Sequence, residues 1–209
     1  MSKVVVLNHL TLDGVMQAPG RPDEDRRGGF AHGGWARPRG DSVAEAFGGV
    51  GQVGGLLFGR RTYEDFFSFW PHQTNNPFTA VLNNTQKYVA STTLAEPLPW
   101  SNSTLLTSDA AAAVATLKQQ LDKDLLIMGS GQLIRSLMRH NLVDEYMLLI
   151  HPLVLGTGQR LFAEGSPATM LQLAGTKTTA SGVVIATYRT PTPLGSATQG
   201  GTPNEAVSA

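Results

Sequence analysis

Short β-type apolar runs alternate along this chain with segments of helical periodicity, and that alternation limits what the chain can fold into. Lys3–Leu10 is rich in Val and Leu and is closed by Asp13-Gly14. Gly54–Phe58, Lys87–Ala90, Thr104–Leu106, Leu125–Met128 and Val143–His151 read as further strands. Between them lie amphipathic segments. Tyr63, Phe66, Phe67 and Trp70 fall at i, i+3, i+4 and i+7 before Pro71, and Val114, Leu117 and Leu121 follow a cap at Ser108 or Asp109. Leu133, Ile134, Leu137 and Met138 share one face, with Asn141 a left-handed terminator. Ser42 and Glu45 read as a capping box ahead of Val43, Ala46, Phe47 and Val50. Leu171–Ala180 and Val183–Arg189, joined by Ser181-Gly182, outline a hairpin. The expected fold is α/β: a mixed, mostly parallel central sheet flanked by helices, with an antiparallel C-terminal hairpin.

The span 1–190 reads as one domain, and 191–209, made of Pro, Thr, Gly, Ser and Ala with little apolar content, as a disordered tail. Val15–Gly40 is a long loop full of Gly, Pro, Asp and Arg, a length associated with lids and binding loops. Phe30 and Trp35 carry apolar surface that gains by docking, which argues against a fully solvated loop.

Bulk properties remove several function classes. The chain has no cysteine, so disulfides, thiolate metal sites and a cysteine nucleophile are excluded. Sixteen basic residues balance 16 acidic ones without a basic run, which sets nucleic-acid binding aside. The five histidines are scattered without metal-ligand spacing, so no metal is expected, and no G-x-S-x-G elbow marks a hydrolase. No run approaches the ~20 apolar residues of a membrane helix and no leader is evident, so a cytoplasmic protein without membrane partners is expected.

Ligands of such sheets gather where parallel strands end and helices begin. Gly59-Arg60-Arg61-Thr62 brings free amides, a helix dipole and two guanidiniums together, a combination suited to phosphate, or its arginines merely solvate a helix start. Gly129-Ser130-Gly131-Gln132-Leu133 leaves room for a pyrophosphate to approach the backbone, or is simply a tight turn. Ser91-Thr92-Thr93 supplies hydroxyls at a third strand end, or is likewise a turn. Gly49–Gly54 spells G-x-G-x-x-G, but a helix precedes it and a strand follows, the reverse of a dinucleotide fingerprint, so it reads as a linker. On the substrate side the candidates are Asp13, Trp35, Asp41 and Glu45. Asp13 fits a turn equally well and Glu45 a capping partner. No residue is assigned a catalytic role.

These junctions resemble a known family. Gly59–Glu64 resembles the G-R-x-T-x-E segment of dihydrofolate reductases, Lys87–Thr92 their third cofactor strand, and Ile127–Gly131 their glycine turn. Leu142–Tyr146 and His151–Gly156 resemble the reductase domain of riboflavin-biosynthesis deaminase-reductases, and Val4 to Arg189 is similar to stand-alone bacterial members of that group. The resemblance implies a dihydrofolate-reductase-like fold and NADPH, with Gly59–Thr62 and Ser91–Thr93 around the adenosine phosphates and Gly129–Leu133 at the pyrophosphate. It implies hydride transfer to a pyrimidine- or pteridine-like ring, such as a 5-amino-6-(phosphoribosylamino)uracil-like intermediate, and allows a homodimer. One segment departs: the stretch that grips a phosphoribosyl group in the riboflavin enzymes is replaced by Arg61–Trp70. A non-catalytic NADPH-binding module, or another nucleotide-using enzyme on the same sheet, is the alternative.

Overall fold

The computed structural model describes residues 2–48, 53–74, 76–107 and 109–191. The expected tail therefore lies, beyond Pro191, outside the described residues, as do Val50, Ser108 and most of the G-x-G-x-x-G linker.

Eight strands form one sheet: β1 Val4–Thr11, β2 Val53–Gly59, β3 Lys87–Ala90, β4 Ser103–Leu106, β5 Asp124–Met128, β6 Glu145–His151, β7 Gln172–Thr178 and β8 Val184–Arg189. Their order is β4-β3-β2-β5-β1-β6-β8-β7. All neighbours from β4 to β6 are parallel, and β8 runs antiparallel to both β6 and β7. The fold expected from the alternating pattern is the one observed. β1 and β5 at the centre are buried on both faces, which is why Val4–Leu7 and Leu125–Met128 read as continuous apolar runs rather than as alternating strands.

Among the described residues five α-helices cover the sheet: α1 Asp41–Phe47, α2 Arg60–Phe69, α3 Pro77–Asn84, α4 Ala110–Gln120 and α5 Gly131–Arg139. α4 and α5 close one face over Val4, Val6, Leu125 and Ile127, and Leu133, Ile134, Leu137 and Met138 are all buried there. On the other face, Tyr63, Phe66 and Phe67 of α2 pack with Ala46, Leu82 and Trp100 over Val5, Leu7 and Phe58.

One local expectation is corrected, and one helix lies outside the expected pattern. The capping box does not form, because Gly40 already has helical angles and Ser42 therefore sits inside α1. The Ser42 hydroxyl donates back to the Arg39 carbonyl at 2.8 Å, and Glu45 pairs with Lys177 on β7. The helix outside that pattern is α3. Its signal was present in Asn76-Pro77: the Asn76 side chain accepts from the Phe78 amide, and Pro77 occupies the first turn, where no amide partner is needed.

Residues 12–40 are not structureless. Val15, Ala18, Phe30, Trp35 and Ala36 form a small core of their own against Leu153 and Leu155. Buried Gln17 donates to the carbonyls of Asp25 and Arg27 and accepts from the Gln159 amide. A Cβ at Gly33 would come within 2.7 Å of the Arg21 and Pro22 carbonyl oxygens, so only glycine fits that crossing. We call this segment the arm.

Candidate active site

The three strand ends named from sequence, of which those after β2 and β5 lead into helices and the one after β3 leads by a loop to β4, open on one cavity of about 1380 Å³ at the carboxyl end of the parallel strands. Gly59–Thr62, Ser91–Thr93 and Gly129–Leu133 all line it. It exceeds the roughly 300–1,000 Å³ typical of a pocket for one drug-sized ligand, leaving room for two.

The floor is built from β2–α2 and β5–α5, and these two junctions are locked together. Gly129 has φ +82° and Ser130 has φ +65°, a left-handed step that turns the chain from β5 into α5 within two residues. Glycine adopts this readily; Ser130 does so at a cost of order 1–2 kcal/mol. Ser130 Oγ accepts from the Gly59 amide at 2.8 Å and donates to Thr62 Oγ1 at 2.7 Å, offsetting that strain and fixing the two helix starts side by side.

Neither α2 nor α5 has a side-chain cap, whereas α3 is capped by Asn76 and α4 by Asp109. The first-turn amides of α2 and α5 therefore keep unspent donors at the positive ends of two helix dipoles. Arg61 is exposed at the cavity and makes no ion pair among the described residues, while Arg60 is held by Glu64. At the third junction the Ser91 hydroxyl is occupied in its own turn, accepting from the amides of Thr93 and Leu94, and Thr92 and Thr93 stay exposed.

The remaining wall is apolar on one side, with Val43 and Phe47 of α1, Phe66 and Phe69 of α2, and Phe78 and Val81 of α3. The arm forms a further part of the wall, through Met16–Arg21 and Ala36–Arg37. Arg21 ties the arm to α2: its guanidinium pairs with Asp65 and lies 4.6 Å from the Phe69 ring centre. Burial raises the Asp65 carboxyl above its ordinary value, with the Arg21 contacts opposing.

None of the four substrate-side candidates lines this cavity, and each has a physical reason to be elsewhere. Asp13 accepts from Thr11 Oγ1 at 2.6 Å and from the amides of Leu155 and Gly156, stapling the arm's root to the segment after β6. The Asp41 carboxylate accepts from the amide and hydroxyl of Ser181, holding the β7–β8 turn. Glu45 pairs with Lys177 at 2.5 Å. Trp35 is buried in the arm's own core, its indole N–H donating to the Gln17 carbonyl at 2.7 Å.

The sequence reading passed over Asn8 and His9, which do line the cavity. The available signal was two consecutive polar residues near the end of an otherwise apolar strand. Asn8 is 6% exposed and its Nδ2 has no partner among the described residues. His9 Nδ1 lies 2.8 Å from Nε2 of fully buried His151 at the end of β6.

A mixed eight-stranded sheet with this order, and a cleft across its parallel strand ends, is the dihydrofolate-reductase-like architecture. Dihydrofolate reductase of Enterococcus faecalis, solved with NADP(H), superposes with TM-score 0.58 at 13% identity, over 90% of this chain and 96% of that one. A riboflavin-biosynthesis-type protein from Shewanella sp. PV-4 superposes with TM-score 0.64 at 20% identity, over 91% and 99%. A pyrimidine reductase-like protein from Corynebacterium diphtheriae gives 0.59 at 13%, over 91% and 92%. The chain belongs to the RibD C-terminal domain family, whose profile matches residues 2–185. Among sequence relatives, YyaP of Bacillus subtilis is 31% identical over 144 residues, 66% of this chain and 75% of YyaP. YwjB of the same organism is 36% identical over 74 residues, 35% of this chain and 42% of YwjB.

Proposed function

We propose that this protein is an NADPH-dependent reductase acting on a small heterocycle of pyrimidine or pteridine type. The observation that carries the reading is the convergence of two uncapped helix N-termini, α2 and α5, on a cavity large enough for a dinucleotide and a second ring. The residues present fit the cofactor. First-turn amides of α5 and the side-chain-free approach at Gly129 suit a pyrophosphate. Unpaired Arg61 suits the 2′-phosphate that distinguishes NADPH from NADH. The likeness to a reductase solved with NADP(H) supports the same choice.

NADPH, when bound, supplies the hydride. The chain's part is positioning and water exclusion. The floor fixes the phosphates, the apolar wall of α1, α2 and α3 receives the acceptor ring, and the arm, latched to α2 through Arg21, closes the side open to solvent.

Oxidation of NADPH in the presence of pyrimidines and pteridines tests the activity; a protein that binds NADPH and turns over none of them would be a binding module instead. Arg61→Ala tests the cofactor. It should cost about 1.5–3 kcal/mol of NADPH binding and less of NADH binding. Equal losses for the two cofactors would remove the 2′-phosphate assignment.

A further inference from the structure

β1 ends at the cavity, and its last residues serve different faces of the sheet. Asn8 projects with Val4, Val6 and Leu10 toward α5, whereas His9 projects with Val5 and Leu7 toward α1 and the aromatic side chains of α2. His9 is only partly buried and its Nε2 makes no hydrogen bond among the described residues. The Trp35 indole stands edge-on to both histidines, with ring centres 6.4 Å from His9 and 5.2 Å from His151.

Two neutral rings share the contact between His9 Nδ1 and His151 Nε2, and the surroundings favour one arrangement. If His9 donated from Nδ1, His151 would carry its proton on Nδ1, which is buried and has no acceptor among the described residues. A stranded buried N–H is the rarer and costlier kind of orphan. The alternative has His151 donating from Nε2, which puts His9's own proton on Nε2, the nitrogen not used within the protein. Burial, then the neighbouring His151, pushes His9 down to about 3. Burial, with Arg39 adding to it and Asp41 opposing, brings His151 to about 4, so both rings are uncharged at neutral pH.

We propose that His9 recognises the acceptor ring, donating from Nε2 to a carbonyl oxygen of the heterocycle held against α1 and α2. This deepens the reductase reading and rests on it. A neutral donor suits an apolar compartment, where a lone imidazolium would be costly to desolvate. When hydride adds to a ring C=N, the C–H bond forms and the π pair moves onto nitrogen, delocalising onto a conjugated carbonyl. A hydrogen bond at that oxygen strengthens as charge develops. His9 keeps its proton, and solvent supplies the one that ends on the ring nitrogen.

Nitrogen-15 NMR of histidine-labelled protein, assigned with His9→Gln, tests the arrangement without any ligand. The expected signal for His9 is a neutral ring protonated on Nε2 that does not titrate between about pH 5 and 8. A ring protonated on Nδ1, or one titrating near its ordinary value, overturns the proposal. The ligand class is tested with lumazine, a pteridine-2,4-dione, against 2,4-diaminopteridine, each bound with NADP⁺ present. Lumazine should bind roughly tenfold tighter. That advantage should vanish in His9→Phe and partly survive in His9→Gln, which keeps an N–H. No lumazine binding, equal affinities in the native protein, or an advantage that persists in His9→Phe would overturn it. NADPH affinity measured without pteridine reports separately on the cofactor reading and on whether each variant is folded.

Discussion

The floor and the arm enclose the same cavity but are built on opposite plans. The floor is secondary structure meeting secondary structure: two strand ends, two helix starts, and Ser130 joining them through Gly59 and Thr62. The arm contains no more regular structure than single turns of 3₁₀ helix, at Arg27–Gly29 and Arg37–Arg39, and one isolated antiparallel bridge from Val15 to Arg160. It is held by a private core around Trp35 and by side-chain bonds from Gln17 and Asp13. A regular framework fixes the floor whether or not a ligand is bound, whereas the arm owes its shape to a few side chains and can be loosened by removing one. The floor supplies fixed donors for the constant part of a cofactor, and the arm can vary independently of it.

The largest expected effect follows from breaking the arm's core. Trp35→Ala removes a buried indole and its hydrogen bond to Gln17 and should cost the arm about 3–5 kcal/mol. Hydrogen exchange should show residues 15–40 opening while β1, β5 and α5 keep their protection. NADPH affinity should change by less than about threefold, near the limit of additivity for separate sites. A loss of NADPH binding comparable to the loss of arm stability would show that the two regions are one cooperative unit.

Gln132→Asp is the complementary change in the floor. It places a carboxylate in the first turn of α5, where the dipole favours it by about 0.3–1 kcal/mol, so the melting temperature should hold or rise slightly. The same carboxylate lies where a pyrophosphate would bind. Like charges ~4–5 Å apart at an effective dielectric of ~20 repel by several kcal/mol, so NADPH affinity should fall on the order of a hundredfold. Stability and binding moving in opposite directions would identify an anion seat; an unchanged affinity would refute it.

The floor was legible in the sequence because its signals are local. Gly59–Thr62 and Gly129–Leu133 each compress a strand end, a turn and a helix start into four or five residues, and the parallel sheet brings them together. The arm was illegible because its structure depends on distant partners. Asp13 is oriented by the amides of Leu155 and Gly156, and Gln17 by Gln159. Trp35 was read as a lid facing the substrate, but an indole of that size finds a drier place among Val15, Ala18 and Phe30. Asp41 and Glu45 sit near the cleft in sequence order, yet β7 and the turn after it offer hydrogen-bonding partners that no local pattern announces. His9 went unnoticed for the same reason, since its partner His151 belongs to a strand more than a hundred residues away.

The smallest expected effect concerns Asp13 at the arm's root. The Thr11 hydroxyl, followed by the backbone amides of Leu155 and Gly156, holds its carboxyl down to about 2 against the resistance of partial burial. The folded value thus lies below the ordinary 3.8, and the unfolded chain takes up this proton first as the pH falls. The contribution of the charge is full above about pH 4 and is lost as the pH drops toward 2. At pH 7, Asp13→Asn should lower the free energy of arm opening by about 1–2 kcal/mol, the scale of a hydrogen bond to a charged group. Hydrogen exchange on both proteins, corrected for intrinsic rates, should show this difference shrinking steadily from pH 4 to pH 3, because over that range the Asp13 carboxyl of the open arm takes up a proton that the closed arm still refuses, a linkage the asparagine lacks. A difference that stays constant over that range would mean that shape rather than charge holds the arm's root. A difference appearing equally in β5 and α5 would erase the distinction between arm and floor.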